Sequence, residues 1–290
     1  MLQTEFDSLT PTRAFNRRDF VRTSIGSGFA AAVLPVTAQT IRTDSAGLTA
    51  GEVTIMVGDF KMPAYCAMPT GKSDLPVVLV VSEIFGVHEH IADVARRFAK
   101  RGYLAIAPEL FVRQGDAQGY GEIGKLIAEV ISKVPDAQVM GDLDGCVAWA
   151  KVNGGNPSKL AVTGFCWGGR ITWLYSAHNP AVKAAVAWYG RLVGANSVLT
   201  PKHPVDLAAG LNGPVLGLYG GQDSGIALDT VEKMKSALAT GSGAAKRSEF
   251  VIYTDAPHAF HADYRPSFRK DAAEDGWKRC VAWFAANGVA

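Results

Sequence analysis

The chain has 290 residues, enough for one large domain or two small ones, and 48% of them are hydrophobic against 19% charged. With 31 Gly and 14 Pro the composition is that of a packed globular protein, which excludes disordered, collagenous and low-complexity chains. Lys and Arg total 29 against 27 Asp and Glu, and no long basic run occurs, so the electrostatic footprint of a nucleic-acid-binding protein is missing.

At the N-terminus, Asn16-Arg17-Arg18-Asp19-Phe20-Val21 places adjacent arginines in a polar leader, and 25–36 follow as a short uncharged stretch rich in Gly and Ala. This pattern resembles a twin-arginine export signal, with Val36-Thr37-Ala38 offering small residues for cleavage near Ala38. The apolar run is shorter than the roughly 20 residues a membrane-spanning helix needs, so no stable membrane insertion is expected after cleavage. The implied organisation is a leader over 1–38, read by the twin-arginine export machinery, and a single domain over 39–290 working in the periplasm. Gly26-x-Gly28 is not read as a dinucleotide loop, because no strand precedes it.

The domain alternates strands and helices. Residues 53–57 and 64–68 read as opening strands, and Pro76-Val77-Val78-Leu79-Val80-Val81 is a continuous apolar run suited to a strand buried on both faces. Ile91, Val94, Ala95 and Phe98 recur at helical spacing within 90–100. Strands follow at 103–107, 160–163, 182–188, 215–219 and 250–253, and helices at 136–150, 167–176, 228–238 and 268–285. Such a rhythm predicts a mostly parallel twisted sheet with helices on both faces and a site at the carboxyl ends of its strands.

Three strand ends carry candidate chemistry. Gly164-Phe165-Cys166-Trp167-Gly168-Gly169 reads as a nucleophile elbow, a tight strand-to-helix turn, with cysteine at the serine position. A thiol supplies some thiolate at neutral pH, and a helix N-terminus favours the anion. An acid and a histidine should follow in that order. Gly220-Gly221-Gln222-Asp223 and Pro257-His258-Ala259-Phe260 supply them, with Asp223 to orient the imidazole and His258 as general base and acid. Asp229 and Asp255 compete for the acid, and His261 for the histidine. Cys66, Cys146 and Cys280 read as small buried hydrophobes, their pairing open. His88-x-His90 reads as loop and helix-start residues and not as a metal site.

Together with Glu83-Ile84-Phe85-Gly86-Val87 and Pro108-Glu109-Leu110-Phe111-Val112-Arg113-Gln114-Gly115, these segments resemble the dienelactone hydrolase (carboxymethylenebutenolidase) family over nearly the whole mature chain. The resemblance implies an α/β-hydrolase fold, no metal or organic cofactor, and a Cys166-Asp223-His258 triad cleaving a small lactone or ester through a thioester. It adds Glu83, which in the family contacts the resting thiol and helps generate the thiolate. Backbone N–H groups of Trp167 and Ile84 would form the oxyanion hole. Arg113 matches an arginine that binds the substrate carboxylate. A second such arginine is expected four residues after the histidine, where Ala262 stands, and Arg265 is its candidate replacement. Tyr189 and Trp167 either shape the pocket or serve as core aromatics. Two other readings stay open, an esterase of larger substrates and a non-catalytic binding protein. The family resemblance favours a monomer.

Overall fold

The computed structural model describes residues 40–290, so the leader expected over 1–38 and its arginine pair lie outside the described residues. Eight strands are formed: β1 (Leu48–Val57), β2 (Phe60–Pro69), β3 (Leu75–Val81), β4 (Leu104–Pro108), β5 (Gly155–Phe165), β6 (Val182–Trp188), β7 (Val215–Gly220) and β8 (Glu249–Tyr253). They make one sheet in the order β1-β2-β4-β3-β5-β6-β7-β8. Pairing is antiparallel only where β2 meets β1 and β4; every other neighbour is parallel.

The central strands are apolar because no face of them reaches water. All seven residues of β3 are buried, as are all five of β4, and continuous burial selects Val, Ile, Leu and Ala without alternation. Parallel neighbours need crossovers, and these supply α1 (Glu89–Ala99), α2 (Ile123–Glu129), α3 (Asp136–Val152), α4 (Trp167–His178), α5 (Pro204–Leu207), α6 (Leu228–Ala239) and α7 (Gly243–Lys246) around the sheet, with α8 (Lys270–Ala286) following the last strand. In α1 the residues at helical spacing, Ile91, Val94, Ala95 and Phe98, are all fully buried. This is the α/β architecture expected from the rhythm.

The differences are local. The opening hairpin is longer than the apolar residues alone suggest, because Gly58 at φ +57° closes it and pairing runs the full length from Leu48 opposite Pro69 to Val57 opposite Phe60. The short helix α2 has no side-chain cap and a glycine at its second position, so it leaves little local signal. Its Leu126 is buried, and tertiary packing rather than propensity holds it.

Parallel strands place their carboxyl ends on one side. Cys166 stands directly after β5, Glu83 two residues after β3, Asp223 three after β7 and His258 five after β8. The chain before the sheet runs along α1 from the loop after β8: Ile41 N–H donates to Asp263 (3.3 Å), and Arg96 Nε donates to the Thr43 carbonyl (2.8 Å). No described helix is long and apolar enough to cross a membrane.

Candidate active site

Cys166 joins β5 to α4 at φ 54° and ψ −114°, a conformation that costs a non-glycine residue free energy and that the surrounding backbone must impose. The flanking glycines explain how. A Cβ on Gly164 would lie 2.2 Å from the Gly168 carbonyl oxygen, and one on Gly168 would lie 2.3 Å from the Val81 carbonyl oxygen. The elbow therefore closes on itself and sits directly on the end of β3. Gly168→Ala should cost about 3 kcal/mol or more, since rigid backbone atoms must move; a thermal melt unchanged from that of the parent chain would contradict this.

Contact between α4 and the end of β3 brings Glu83 and Ile84 beside the cysteine's turn. Trp167 is the first residue of α4, where helix geometry leaves N–H groups without intrahelical acceptors. The Ile84 N–H has no backbone acceptor among the described residues. Its loop is shaped by Glu109, which accepts the Val87 N–H (2.9 Å) and lies over Gly86, itself at φ +72°. Burial pushes the Glu109 carboxyl up to about 7.

The acid and histidine meet through a second pair of glycines. A Cβ on Gly220 would lie 2.3 Å from the Ala256 carbonyl oxygen, and one on Gly221 would lie 2.5 Å from that of Thr254, so the loop after β7 presses on the loop after β8. His258 Nδ1 consequently donates to Asp223 Oδ2 at 2.7 Å, while Asp223 Oδ1 accepts the Gly225 (2.9 Å) and Ile226 (3.2 Å) N–H groups. These bonds fix the carboxylate and leave Nε2 as the outward ring nitrogen, with no hydrogen-bond partner among the described residues. Burial alone would lower the His258 pKa; the negative charges of Cys166 and Asp223 outweigh it and raise the pKa to about 10. Of the competitors, Asp229 bonds Lys233 on the surface (2.9 Å) and His261 is buried among aromatic rings.

Cys166, Glu83 and His258 are each at most 1% exposed, so all three side chains lie beneath the surface and not at the tip of an open bend. Phe85, Trp167 and Arg265, near these residues in the chain or the fold, are partly exposed, and the Arg265 guanidinium stacks over Phe85 at 4.8 Å. Tyr189, at φ 37°, packs edge-on to the His258 ring with centroids 5.1 Å apart and is fully buried.

Two expectations meet a different arrangement. Arg113 places the Nη1 and Nη2 edge of its guanidinium on Asp142 of α3 (2.5 and 2.7 Å) and its plane over Phe60 (3.9 Å), so that edge is already engaged by a buried carboxylate. Glu83 is hydrogen-bonded by a histidine: His88 Nε2 lies 3.1 Å from Glu83 Oε2, with both residues fully buried. Arg265, in contrast, lies where its charge acts on Glu83, with Nε donating to the Tyr264 hydroxyl (3.0 Å). Sequence reasoning missed His88 and Tyr264 as neighbours of the site. The available signal was the turn at Gly86, which folds residue 88 back toward residue 83.

All four cysteines are free and buried. Burial pushes the Cys66 thiol up to about 12 and likewise raises those of Cys146 and Cys280, which marks these three as inert packing residues.

Residues 62–288 match the sequence profile of the dienelactone hydrolase family. A Methylorubrum extorquens protein provisionally named carboxymethylenebutenolidase is 59% identical over 285 residues, covering 98% of this chain and 97% of that protein. An Escherichia coli K12 protein of the same provisional name is 53% identical over 264 residues, covering 90% and 96%. A crystal structure from Klebsiella pneumoniae, provisionally identified as a dienelactone hydrolase, is 57% identical with a TM-score of 0.79, covering 82% of this chain and 98% of that one. The sheet order, the elbow at its centre and these extensive matches agree: the chain belongs to the dienelactone hydrolase family and is a hydrolase with an α/β-hydrolase-like fold.

Proposed function

We propose that this enzyme hydrolyses small lactones or activated esters through Cys166, His258 and Asp223, with a thioester intermediate and no cofactor. The reading is carried by one observation: a cysteine in a strained strand-to-helix turn beside an imidazole whose other nitrogen is held by a buried carboxylate. Cys166 Sγ attacks the acyl carbon, and the oxyanion is taken up by the Trp167 and Ile84 N–H groups. The imidazolium of His258 protonates the departing oxygen as the C–O bond breaks. His258 then removes a proton from water, which attacks the thioester and releases the acid and the sulfur. Asp223 holds the ring in one tautomer throughout. Incubation with 4-nitrophenyl acetate at mildly acidic pH should give an acetyl adduct located by mass spectrometry on Cys166; an adduct only on another residue would exclude the mechanism.

Arg265, stacked on Phe85, is the proposed clamp for a substrate carboxylate, with Tyr189 as a wall. Arg113→Gln should lower stability by roughly 2–3 kcal/mol, between the costs of breaking exposed and buried pairs, and leave KM for an anionic lactone nearly unchanged. Arg265→Gln should raise that KM by about 10-fold or more, the worth of one charge-assisted bond. Paired melts and initial rates distinguish these roles, and the reverse outcome would return the clamp to Arg113. A dominant preference for bulky uncharged esters would favour a general esterase. The same proposal takes 1–38 as the twin-arginine leader and the mature enzyme as a periplasmic monomer.

A further inference from the structure

Glu83 is a fully buried carboxylate, and His88 provides the one hydrogen bond recorded to it among the described residues. Its second oxygen has no hydrogen-bond partner there, and neither does His88 Nδ1. This pairing fixes the tautomer. A buried N–H without an acceptor is costlier than a bare ring lone pair, so the proton sits on Nε2 and points at Glu83. The ring is held in place by Tyr264, edge-on with centroids 5.0 Å apart and its hydroxyl 3.4 Å from Nε2, and by His90, stacked at 6.1 Å. His90 is anchored in turn through Nδ1 on Asp263 Oδ1 at 3.1 Å.

We propose that His88 is the positioning residue of this active site, a neutral donor that holds the Glu83 carboxylate in place at the end of β3. The inference rests on the reading of Cys166 and His258 given above and adds a residue to it.

Burial by itself would drive a carboxyl toward its protonated form. In this site that tendency is outweighed by the hydrogen bond from His88 and by the nearby positive charge of Arg265, which hold the Glu83 carboxyl below the usual carboxylate range. Burial in turn lowers the His88 pKa and favours its neutral form. The charge of Glu83 is felt across the site, by Tyr189 after β6 and by His261, Tyr264 and Arg265 on the loop after β8. Removal of the His88 donor therefore changes the protonation of Glu83 and the field around the reacting sulfur.

The proposal is tested first without turnover. In a Cys166→Ala background, 13C NMR of labelled glutamate, assigned through Glu83→Gln, follows the Glu83 carboxyl with pH. It should stay ionised at pH 6 in the parent and in His88→Gln, whose amide N–H can take the place of Nε2–H. In His88→Phe, which keeps a ring against Tyr264, its titration should move upward by about one pH unit or more. A carboxyl that titrates alike in all three overturns the proposal. In the Cys166 enzyme, His88→Phe should lower kcat/KM by about 10- to 100-fold, the worth of one charge-assisted hydrogen bond, and move the acid limb of its pH profile upward, with His88→Gln restoring most of both. When Glu83→Gln is already present, His88→Phe should cost nothing further. Losses that multiply would overturn the proposal, since they would mark His88 as a packing residue independent of Glu83. Turnover that survives in Cys166→Ala would sink the nucleophile assignment alone, because the carboxyl titration still decides the role of His88.

Discussion

Cys166→Ala is expected to lower kcat/KM for an enol lactone or a nitrophenyl ester by about four orders of magnitude or more, the scale seen when a nucleophile that works as part of a unit is removed. The folded state should barely change, because alanine occupies the same φ of 54° with a similar steric cost and the site loses only one buried sulfur. Initial rates and a melt on the same preparation separate chemistry from stability. An alanine variant that kept parental activity would exclude a thioester route, and a large drop in melting temperature would show that the sulfur is chiefly a packing atom. Cys166→Ser should recover little. A hydroxyl has no appreciable anionic form at neutral pH, whereas a thiol supplies some.

The second large effect is on pH. Burial opposes the charged form of His258, yet the negative charges of Cys166 and Asp223 prevail and raise its pKa to about 10, against about 6.5 for an unperturbed histidine. A histidine whose pKa is raised on folding adds stability that is complete below the unfolded value and is lost as pH rises through the folded one. Urea unfolding between pH 6.5 and 10 should therefore show a progressive loss that is absent in His258→Gln. Cys166→Ala removes the contribution of Cys166 to this rise, so the imidazole should titrate lower, and NMR of the His258 ring protons reads this directly. The alkaline limb of kcat/KM should lie near 10 in the parent, because the imidazolium that protonates the departing oxygen disappears there. A ring that titrates near its unperturbed value in both chains would contradict the charge arrangement.

Much of the fold is legible in the sequence because burial on both faces leaves a local trace. The unbroken apolar run before Ser82 and the helical spacing of Ile91, Val94, Ala95 and Phe98 need no tertiary information to interpret. The elbow is legible for a similar reason: Gly164 and Gly168 mark places where backbone meets backbone. The order of Asp223 and His258 follows from topology once the strands are parallel.

What the sequence hides are partners distant along the chain. Arg113 stands in a family-like segment, but Asp142, 29 residues on, claims its guanidinium, and no local pattern announces a bond between a loop and the first turns of α3. His88 looks like an ordinary residue before a helix until the left-handed turn at Gly86 sets it against Glu83. The hairpin from Leu48 is longer than its apolar pattern because half-exposed strand residues are specified by cross-strand pairing rather than by alternation alone.

Among the described residues β8 lies at the outer margin of the sheet, paired only with β7, and its five residues are half-buried or exposed while β3 and β4 are sealed. His258, the proposed base, follows this marginal strand, and Cys166 follows β5 in the interior of the sheet. On warming, the margin frays before the interior melts, and a small displacement there withdraws the ring from the sulfur. Heat inactivation should thus precede loss of far-ultraviolet ellipticity, and a sample with full helical signal can already be without activity.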